Sequence, residues 1–231
     1  MESSKYFKDQ LQRKVVLPIW PPQRIVSLVP SQTAFLAELG LADEVVGITK
    51  FCIHPTNWFQ TKCRVGGTKT LHIPRIISLK PDLIIGNKEE NVAEQIDMLA
   101  ARFPVWISDV SSLPDALDMM RNIGVLTDRL TKAEEIVQSV RAGFAPLGLE
   151  SVGERAAYLI WRKPYMAAGG QTFIDDMMRY AGLENVFHQM SRYPEISEEA
   201  LKEADPAVIL LSSEPYPFQE KHMLSVQRIC P

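Results

Sequence analysis

Two stretches set 125 residues apart, counted from Pro81 to Pro206, spell one local plan. Ile76-Ile77-Ser78-Leu79-Lys80-Pro81-Asp82-Leu83-Ile84-Ile85-Gly86 reads as the end of a helix, a proline that cannot continue it, and a buried strand. Leu201-Lys202-Glu203-Ala204-Asp205-Pro206-Ala207-Val208-Ile209-Leu210-Leu211 reads the same way. A fainter echo joins residues 33–45 to 172–187, each a helix that closes on Gly-Leu (Gly40-Leu41 and Gly182-Leu183) before a polar turn. A chain that states one supersecondary plan twice is expected to build two α/β lobes, with a ligand cleft between them.

The 231 residues suffice for two lobes of about 100 residues each. An apolar share of 46% and a charged share of 23% are those of an ordinary globular chain. A net charge of −3 lacks the basic excess of a nucleic-acid binder. No apolar run approaches the roughly 18 residues of a membrane helix. Residues 1–12 are polar and carry no apolar core of a secretory signal, so a cytoplasmic setting stays open beside an extracytoplasmic one. Cys52, Cys63 and Cys230 match no zinc spacing and are expected to be free thiols, with a Cys52–Cys63 disulfide open only in an oxidising compartment.

Local signals place a polar lead at 1–23 with a short edge strand at Val15-Val16-Leu17. An α/β lobe follows over 24–112, connecting and bridging helices over 113–149, and a second α/β lobe over 150–231 that is short of one strand and helix. In the first lobe, strands are expected at 24–28, 44–49, 83–86 and 105–107. Helices are expected at 30–39 with Ser31 as N-cap, at 73–79 with Pro74 in the first turn, and at 90–102. Residues 51–64 read as loop. Leu117, Met120, Ile123, Leu126 and Leu130 keep a helical period. Thr131-Lys132-Ala133-Glu134 reads as a capping box that opens a second helix. That helix, 132–145 with its end blurred by Pro146 and Gly148, would span about 20 Å and serve as a stiff connector. After a polar turn at 150–154 come a strand at 155–161, a loop at 161–171, helices at 172–180 and 197–203, a strand at 208–211 and a last helix from His222. The expected fold class is α/β: two Rossmann-like lobes with parallel sheets joined by a rigid bridging helix.

Ligands of parallel α/β sheets sit beyond the C-terminal strand ends. Those ends supply Phe51, His54, Asn87 and Lys88 in the first lobe and Trp161, Arg162, Tyr165 and Glu214 in the second. The loops bearing Lys69, and Arg192 with Tyr193, belong to the same rims. Aromatics and long cations together suit a large, flat, amphiphilic ligand better than a bare ion. A tryptophan followed by Arg-Lys-Pro-Tyr is costly to leave in solvent without a purpose. The four histidines show no i,i+4 pair, so no dedicated metal site is expected. His54 could join Glu89 or Glu214 in a partial one, or act as axial ligand to a porphyrin or corrin metal. Gly169-Gly170 reads as freedom for a tight turn, and Asp175-Asp176 as a solvated helix face or a first-turn complement to the helix dipole. No nucleophile elbow or dinucleotide fingerprint is present, and no catalytic residue is expected.

Arg24-Ile25-Val26-Ser27-Leu28-Val29-Pro30-Ser31, the Thr-x-x-Leu-x-x-Leu-Gly-type helix after it, Gly66-Gly67 and the segment Ile77-Ser78-Leu79-Lys80-Pro81-Asp82-Leu83-Ile84 resemble the helical-backbone (class III) substrate-binding proteins of ABC importers. These serve vitamin B12, haem and ferric siderophores. The resemblance runs from about residue 24 to the end and implies two lobes, one rigid helix between them, and a ligand held with little closure. It implies a non-enzymatic, monomeric binding protein with a transporter permease as partner, no nucleic acid, and no tightly bound cofactor. The family is periplasmic or lipid-anchored outside the cytoplasm. Phe51 falls near a first-lobe aromatic of the family's B12 binders, Trp161 to Tyr165 match their second-lobe loop that touches the corrin, and Tyr193 stands where they carry a tryptophan before proline. Asn87 and residues 68–70 stand where those offer tryptophans, so half of that cradle is absent. Glu199 matches the docking glutamate of the second lobe, and Pro74 takes the place of the first-lobe one.

The expectation is therefore a binding component for a corrinoid, haem or ferric siderophore. Aromatics would wall the ligand, and Lys69, Lys88, Arg162 and Arg192 would meet its anionic or oxygen-rich groups. Two alternatives stay open: a bare-metal receptor of the same fold, and a cytoplasmic enzyme or chaperone that handles a tetrapyrrole.

Overall fold

A computed structural model describes residues 4–147 and 153–230. The chain divides into two compact units. Unit 1 comprises Met1–Asp109 and Leu117–Gln138, and unit 2 comprises Val110–Ala116 and Ser139–Pro231.

Unit 1 begins with an antiparallel ribbon, β1 (Lys5–Lys8) and β2 (Lys14–Leu17). The first strand lies inside the stretch read as a plain polar lead, because four mostly exposed residues carry no apolar alternation. Asp9, 2% exposed, folds the ribbon's turn: its carboxylate accepts from the Leu11 and Arg13 amides and from Arg13 Nε. The body of the unit then runs β3 (Ile25–Ser27), α1 (Pro30–Glu38), β4 (Val45–Ile48), α2 (Thr56–Thr61), β5 (Cys63–Arg64), α3 (Ile73–Ser78), β6 (Leu83–Asn87), α4 (Ala93–Ala100) and β7 (Val105–Ser108). All five strands of this sheet are parallel, in the order β5-β4-β3-β6-β7. Strands of such sheets are buried on both faces, which is why β3 and β7 are unbroken buried runs. The ribbon covers edge strand β7: the Gln10 amide donates to the Ile107 carbonyl at 3.2 Å, and Trp106 Nε1 donates to the Lys8 carbonyl at 3.1 Å.

Three local expectations change here. Pro30 opens α1, with Val29 in the N-cap position and no side-chain cap, so Ser31 lies inside the helix. Residues 51–64 hold α2 and β5, elements of six and two residues, too short for any period to show. Cys52 and Cys63 are free; Cys52 is fully buried, with the Thr33 and Thr49 hydroxyls 3.1 Å from its sulfur.

Two helices cross the division. α5 (Leu113–Leu126) begins in unit 2 and ends in unit 1, and α6 (Leu130–Phe144) begins in unit 1 and ends in unit 2. Thr131 does not cap α6: the helix opens at Leu130, two residues before the expected 132, with the Ala133 amide already bonded to the Arg129 carbonyl, and Glu134 instead pairs with Arg121 at 2.8 Å. α6 ends at Phe144, one residue short of the expected end, while Gly148 and the polar turn at 150–154 before Gly153 lie outside the described residues.

Unit 2 continues with β8 (Glu154–Trp161), β9 (Tyr165–Ala167), α7 (Phe173–Tyr180), β10 (Leu183–Asn185), β11 (Glu195–Ile196), α8 (Glu198–Glu203), β12 (Val208–Leu211) and α9 (Glu220–Gln227). β8 is the hub, with β12 parallel on one side and β10 parallel on the other, where β9 also pairs, antiparallel. β11 pairs antiparallel with β9. The sheet is thus mixed rather than parallel, and residues 161–171 contain a hairpin rather than a loop. The strands that sequence reading missed, β9, β10 and β11, have two or three residues each.

The repeated plan is visible in the backbone. α1 and α7 both stop at a left-handed glycine, Gly40 at φ 76° and Gly182 at φ 74°. α3 and α8 both end two residues before a positive-φ residue that precedes the proline, Lys80 at φ 48° and Asp205 at φ 42°. The strands that follow, β6 and β12, each lie parallel to the first main strand of their own sheet, β3 and β8.

Candidate functional site

In unit 1 the strand order reverses direction at β3, with β4 on one side and β6 on the other. Such a switch point is where open α/β sheets place ligands, beyond the C-terminal strand ends. The loop after β6 is folded by Asn87. Its Oδ1 accepts from the Glu89 and Glu90 amides at 2.8 and 3.1 Å, and its Nδ2 donates to Ser108 Oγ at 2.9 Å. Asn87, expected at the ligand, is committed to the loop. The segment 68–71 docks on this loop: Asn91 donates to the Thr68 carbonyl, Gln95 to the Lys69 carbonyl, and Lys69 Nζ to the Glu89 carbonyl. Lys88 pairs with Asp109 at 2.7 Å, which offsets part of its charge. The structure therefore gathers Lys69, Asn87 and Lys88. Phe51 joins them: its ring is 51% exposed and lies on Gly67, where an added Cβ would meet it at 3.1 Å. His54 is exposed nearby in sequence, ahead of a cis proline, and no partner among the described residues fixes its ring. His72, by contrast, caps α3 by accepting from the Arg75 amide.

In unit 2 the C-terminal end of β8 delivers Trp161, 39% exposed, edge-on to Tyr216 at 5.5 Å. Tyr216 packs on Phe218 at 4.7 Å, and both contact His222. These aromatics come from the segment after β12 and the first turn of α9. Sequence reading missed them, although Tyr216-Pro217-Phe218 follows directly on the strand end that it singled out. His222 accepts from the Gln219 amide through Nδ1 at 2.9 Å, and its Nε2 faces the Tyr216 hydroxyl at 3.4 Å. Burial, then the charges of Arg162 and Lys221, hold its pKa below the ordinary histidine value. It is thus a neutral capping residue.

Arg162 follows Trp161 and is half-buried. The hydrogen bond that Arg162 donates to Tyr165 is the chief cause of its raised pKa, with Tyr216 contributing less. Its Nε is buried without a partner. Tyr165 turns inward, 7% exposed in a core cluster with Leu159, Phe187, Ile196 and Leu201. Its ring fills the core rather than walling a ligand, because β9 alternates and places residue 165 on the inner face. Glu214 is exposed in the segment after β12.

A strap over residues 188–193 lies along the extension of β9. Gly169 and Gly170 donate to the Arg192 and Met190 carbonyls at 2.7 Å, and the Arg192 amide returns to the Gly170 carbonyl at 2.8 Å. A Cβ at either glycine would sit 2.1–2.2 Å from strap backbone, so the glycines serve this close approach rather than a turn. Arg192 Nη1 reaches the Gln171 carbonyl at 3.3 Å, and its guanidinium lies 5.8 Å from the Tyr193 ring. The acidic pair stands in the first turn of α7, as a complement to the helix dipole, and not on a solvated face. Asp175, its side chain 14% exposed, holds His188 and Asn185; Asp176, 12% exposed, holds Arg179 and the Leu113 amide. Glu199 stands exposed in the first turn of α8; its own backbone amide, then the Ser197 hydroxyl, keeps its carboxyl below the ordinary pKa.

Among the described residues no group of three or more His, Cys, Asp and Glu is placed to hold a metal ion, and no helix is long and apolar enough to cross a membrane.

Comparison with known proteins gives one family and a consistent set of neighbours. The family model described as "Periplasmic binding protein" matches residues 25–225. A vitamin B12-binding protein of Vibrio vulnificus (strain CMCP6) is 27% identical over 220 residues, covering 91% of this chain and 78% of that protein. A periplasmic haem-binding protein from Pseudomonas aeruginosa superposes with a TM-score of 0.77 at 21% identity, covering 91% of this chain and 78% of that one. A siderophore-binding protein, solved with two molecules of acinetobactin and ferric iron, superposes with a TM-score of 0.76 at 19% identity, covering 95% and 82%. The shared fold is a two-lobed α/β architecture.

Proposed function

This chain belongs to the periplasmic binding protein family, and from that membership we propose that it is the substrate-binding component of an ABC-type importer for a metal-containing organic ligand: a corrinoid, haem or a ferric siderophore. The family and its relatives are binding proteins, not enzymes. The reading draws on the ligands named for the similar proteins, which fall in all three classes. The observation that carries it is Trp161. An indole 39% exposed at the end of the central strand, backed by Tyr216 and followed by the Arg162 guanidinium, is a flat apolar face beside a cation. Such a pairing suits a macrocycle or catecholate that bears anionic or oxygen-rich edges. In unit 2, Arg192 and Tyr193 are the further contacts in this reading; in unit 1, they are Phe51 and His54 with Lys69 and Lys88. Glu199 is the contact offered to a permease, as an exposed carboxylate held ionised. The protein would then act outside the cytoplasm.

Tryptophan fluorescence, titrated with cobalamin, haemin and a ferric hydroxamate, tests the reading. Free tryptophan serves as control for light absorbed by the coloured ligands. Saturable quenching by one ligand at micromolar concentration or below, weakened in Trp161→Phe, is the expected result. Flat titrations with all three would reject it.

A further inference from the structure

We propose that His188 is the protein's axial donor to the metal of the bound ligand. This inference rests on the reading above and narrows it to a macrocycle whose metal keeps an exchangeable axial position. The argument starts from a fixed carboxylate. Asp175 accepts from Asn185 Nδ2 through Oδ1 at 2.8 Å, and its Oδ2 lies 2.9 Å from His188 Nδ1. Asn185 is 8% exposed and is itself held, donating to the Ala168 carbonyl and accepting from the Phe187 amide, both at 3.0 Å. The Asp175 amide is tied to Thr172 Oγ1 at 3.1 Å. The carboxylate therefore cannot swing away from the imidazole.

An ionised carboxylate only accepts, so in the neutral ring the Nδ1 proton is given to Asp175 and the Nε2 lone pair is left bare. That is the arrangement by which a carboxylate orients a metal-binding histidine and raises its basicity. The His188 side chain is 62% exposed, so its ring is open to an approaching ligand. The strap is seated as well. Gly170 brings its backbone against the His188 carbonyl, where a Cβ would meet it at 2.2 Å, and lies 3.7 Å from Nδ1 by the same measure. Arg192 and Tyr193 follow on the same strap, and the Ser191 position pairs with Gly170. None of the other histidines shares these features: His72 and His222 spend Nδ1 on helix caps, and no described partner orients His54.

One imidazole cannot hold a bare ion, and no cluster of metal-binding side chains gathers among the described residues. It can complete a coordination sphere whose equatorial positions a macrocycle already fills. Haem, or a corrinoid with an axial water, meets that condition; a ferric siderophore that saturates its iron with oxygen donors does not. Binding is then a ligand exchange: the Nε2 lone pair replaces the water, and the Nδ1 proton stays on the bond to Asp175.

The test is absorbance and electron paramagnetic resonance of the full chain titrated with haemin, aquocobalamin and a ferric hydroxamate, repeated with His188→Ala and Asp175→Asn. The expected result is an imidazole-ligated spectrum for wild type with one macrocycle. That spectrum is lost in His188→Ala, together with tenfold or more of the affinity, and is restored by added imidazole. Asp175→Asn must keep its oxygen toward Asn185, so it turns an amide N–H to Nδ1. The ring proton moves to Nε2, and the affinity falls about 10- to 100-fold. Macrocycle binding with the same spectrum in His188→Ala would overturn the inference and leave the transport reading standing. Binding of the ferric hydroxamate alone would do the same. Binding of none of the three by wild type would sink both.

Discussion

Replacing Asn87 by alanine separates a ligand contact from a structural staple. The side chain makes three hydrogen bonds, to Ser108 Oγ and to the Glu89 and Glu90 amides, at 2.8–3.1 Å. A typical intramolecular hydrogen bond contributes about 1 kcal/mol net, and water replaces part of that at a half-buried site, so the loss should be about 2 kcal/mol. With a urea dependence of about 1–3 kcal/mol per molar, the unfolding midpoint falls by about 1 M. Asn87→Asp keeps the acceptor oxygen that both loop amides share and should lose less than about 1 kcal/mol. The assay is urea unfolding followed by hydrogen exchange at the β6 and β7 amides, which reads unit 1 without averaging over the rest. An alanine variant within about 0.5 kcal/mol of wild type would refute the argument. The side chain would then be free for the ligand role that its position at a strand end first implied.

Two further outcomes follow from burial. The pKa of His222 is held below its ordinary 6.5, chiefly by burial, so its contribution to stability is present above the unfolded value and is lost as pH falls through the lowered one. The stability of unit 2 should therefore fall on going from pH 7 to pH 5, and less so in His222→Gln; equal pH slopes in the two proteins would contradict this. Thiol labelling followed by mass spectrometry should modify Cys63 first. Cys230 should lag behind it, because burial raises its pKa, and fully buried Cys52 should react only on unfolding. Labelling of Cys52 as fast as Cys63 would show that the β3–β4 end of unit 1 opens readily.

What could be read without coordinates was whatever is spelled locally. A helix that stops at glycine, a proline that stops another, and an apolar run that must be buried are nearest-neighbour statements. They recur at Pro81 and Pro206, and the backbone repeats them down to the positive φ of Lys80 and Asp205. They suffice for two α/β units and for the strand ends that carry Trp161, Lys88 and Glu214. Folding decided which of those side chains face outward. Tyr165 and Trp161 stand four residues apart on either side of one hairpin turn, yet one is core and the other rim. In a three-residue strand the inner face is set by register with a partner such as Ile196, not by any period of its own. Asn87 and the acidic pair changed role for the same reason. Beyond the local Glu89 and Glu90 amides and Arg179, their partners Ser108, His188, Asn185 and Leu113 lie 10 to 63 residues away in sequence. Only a tertiary structure brings such groups within the 3 Å at which a polar side chain is spent on the fold or left for a ligand.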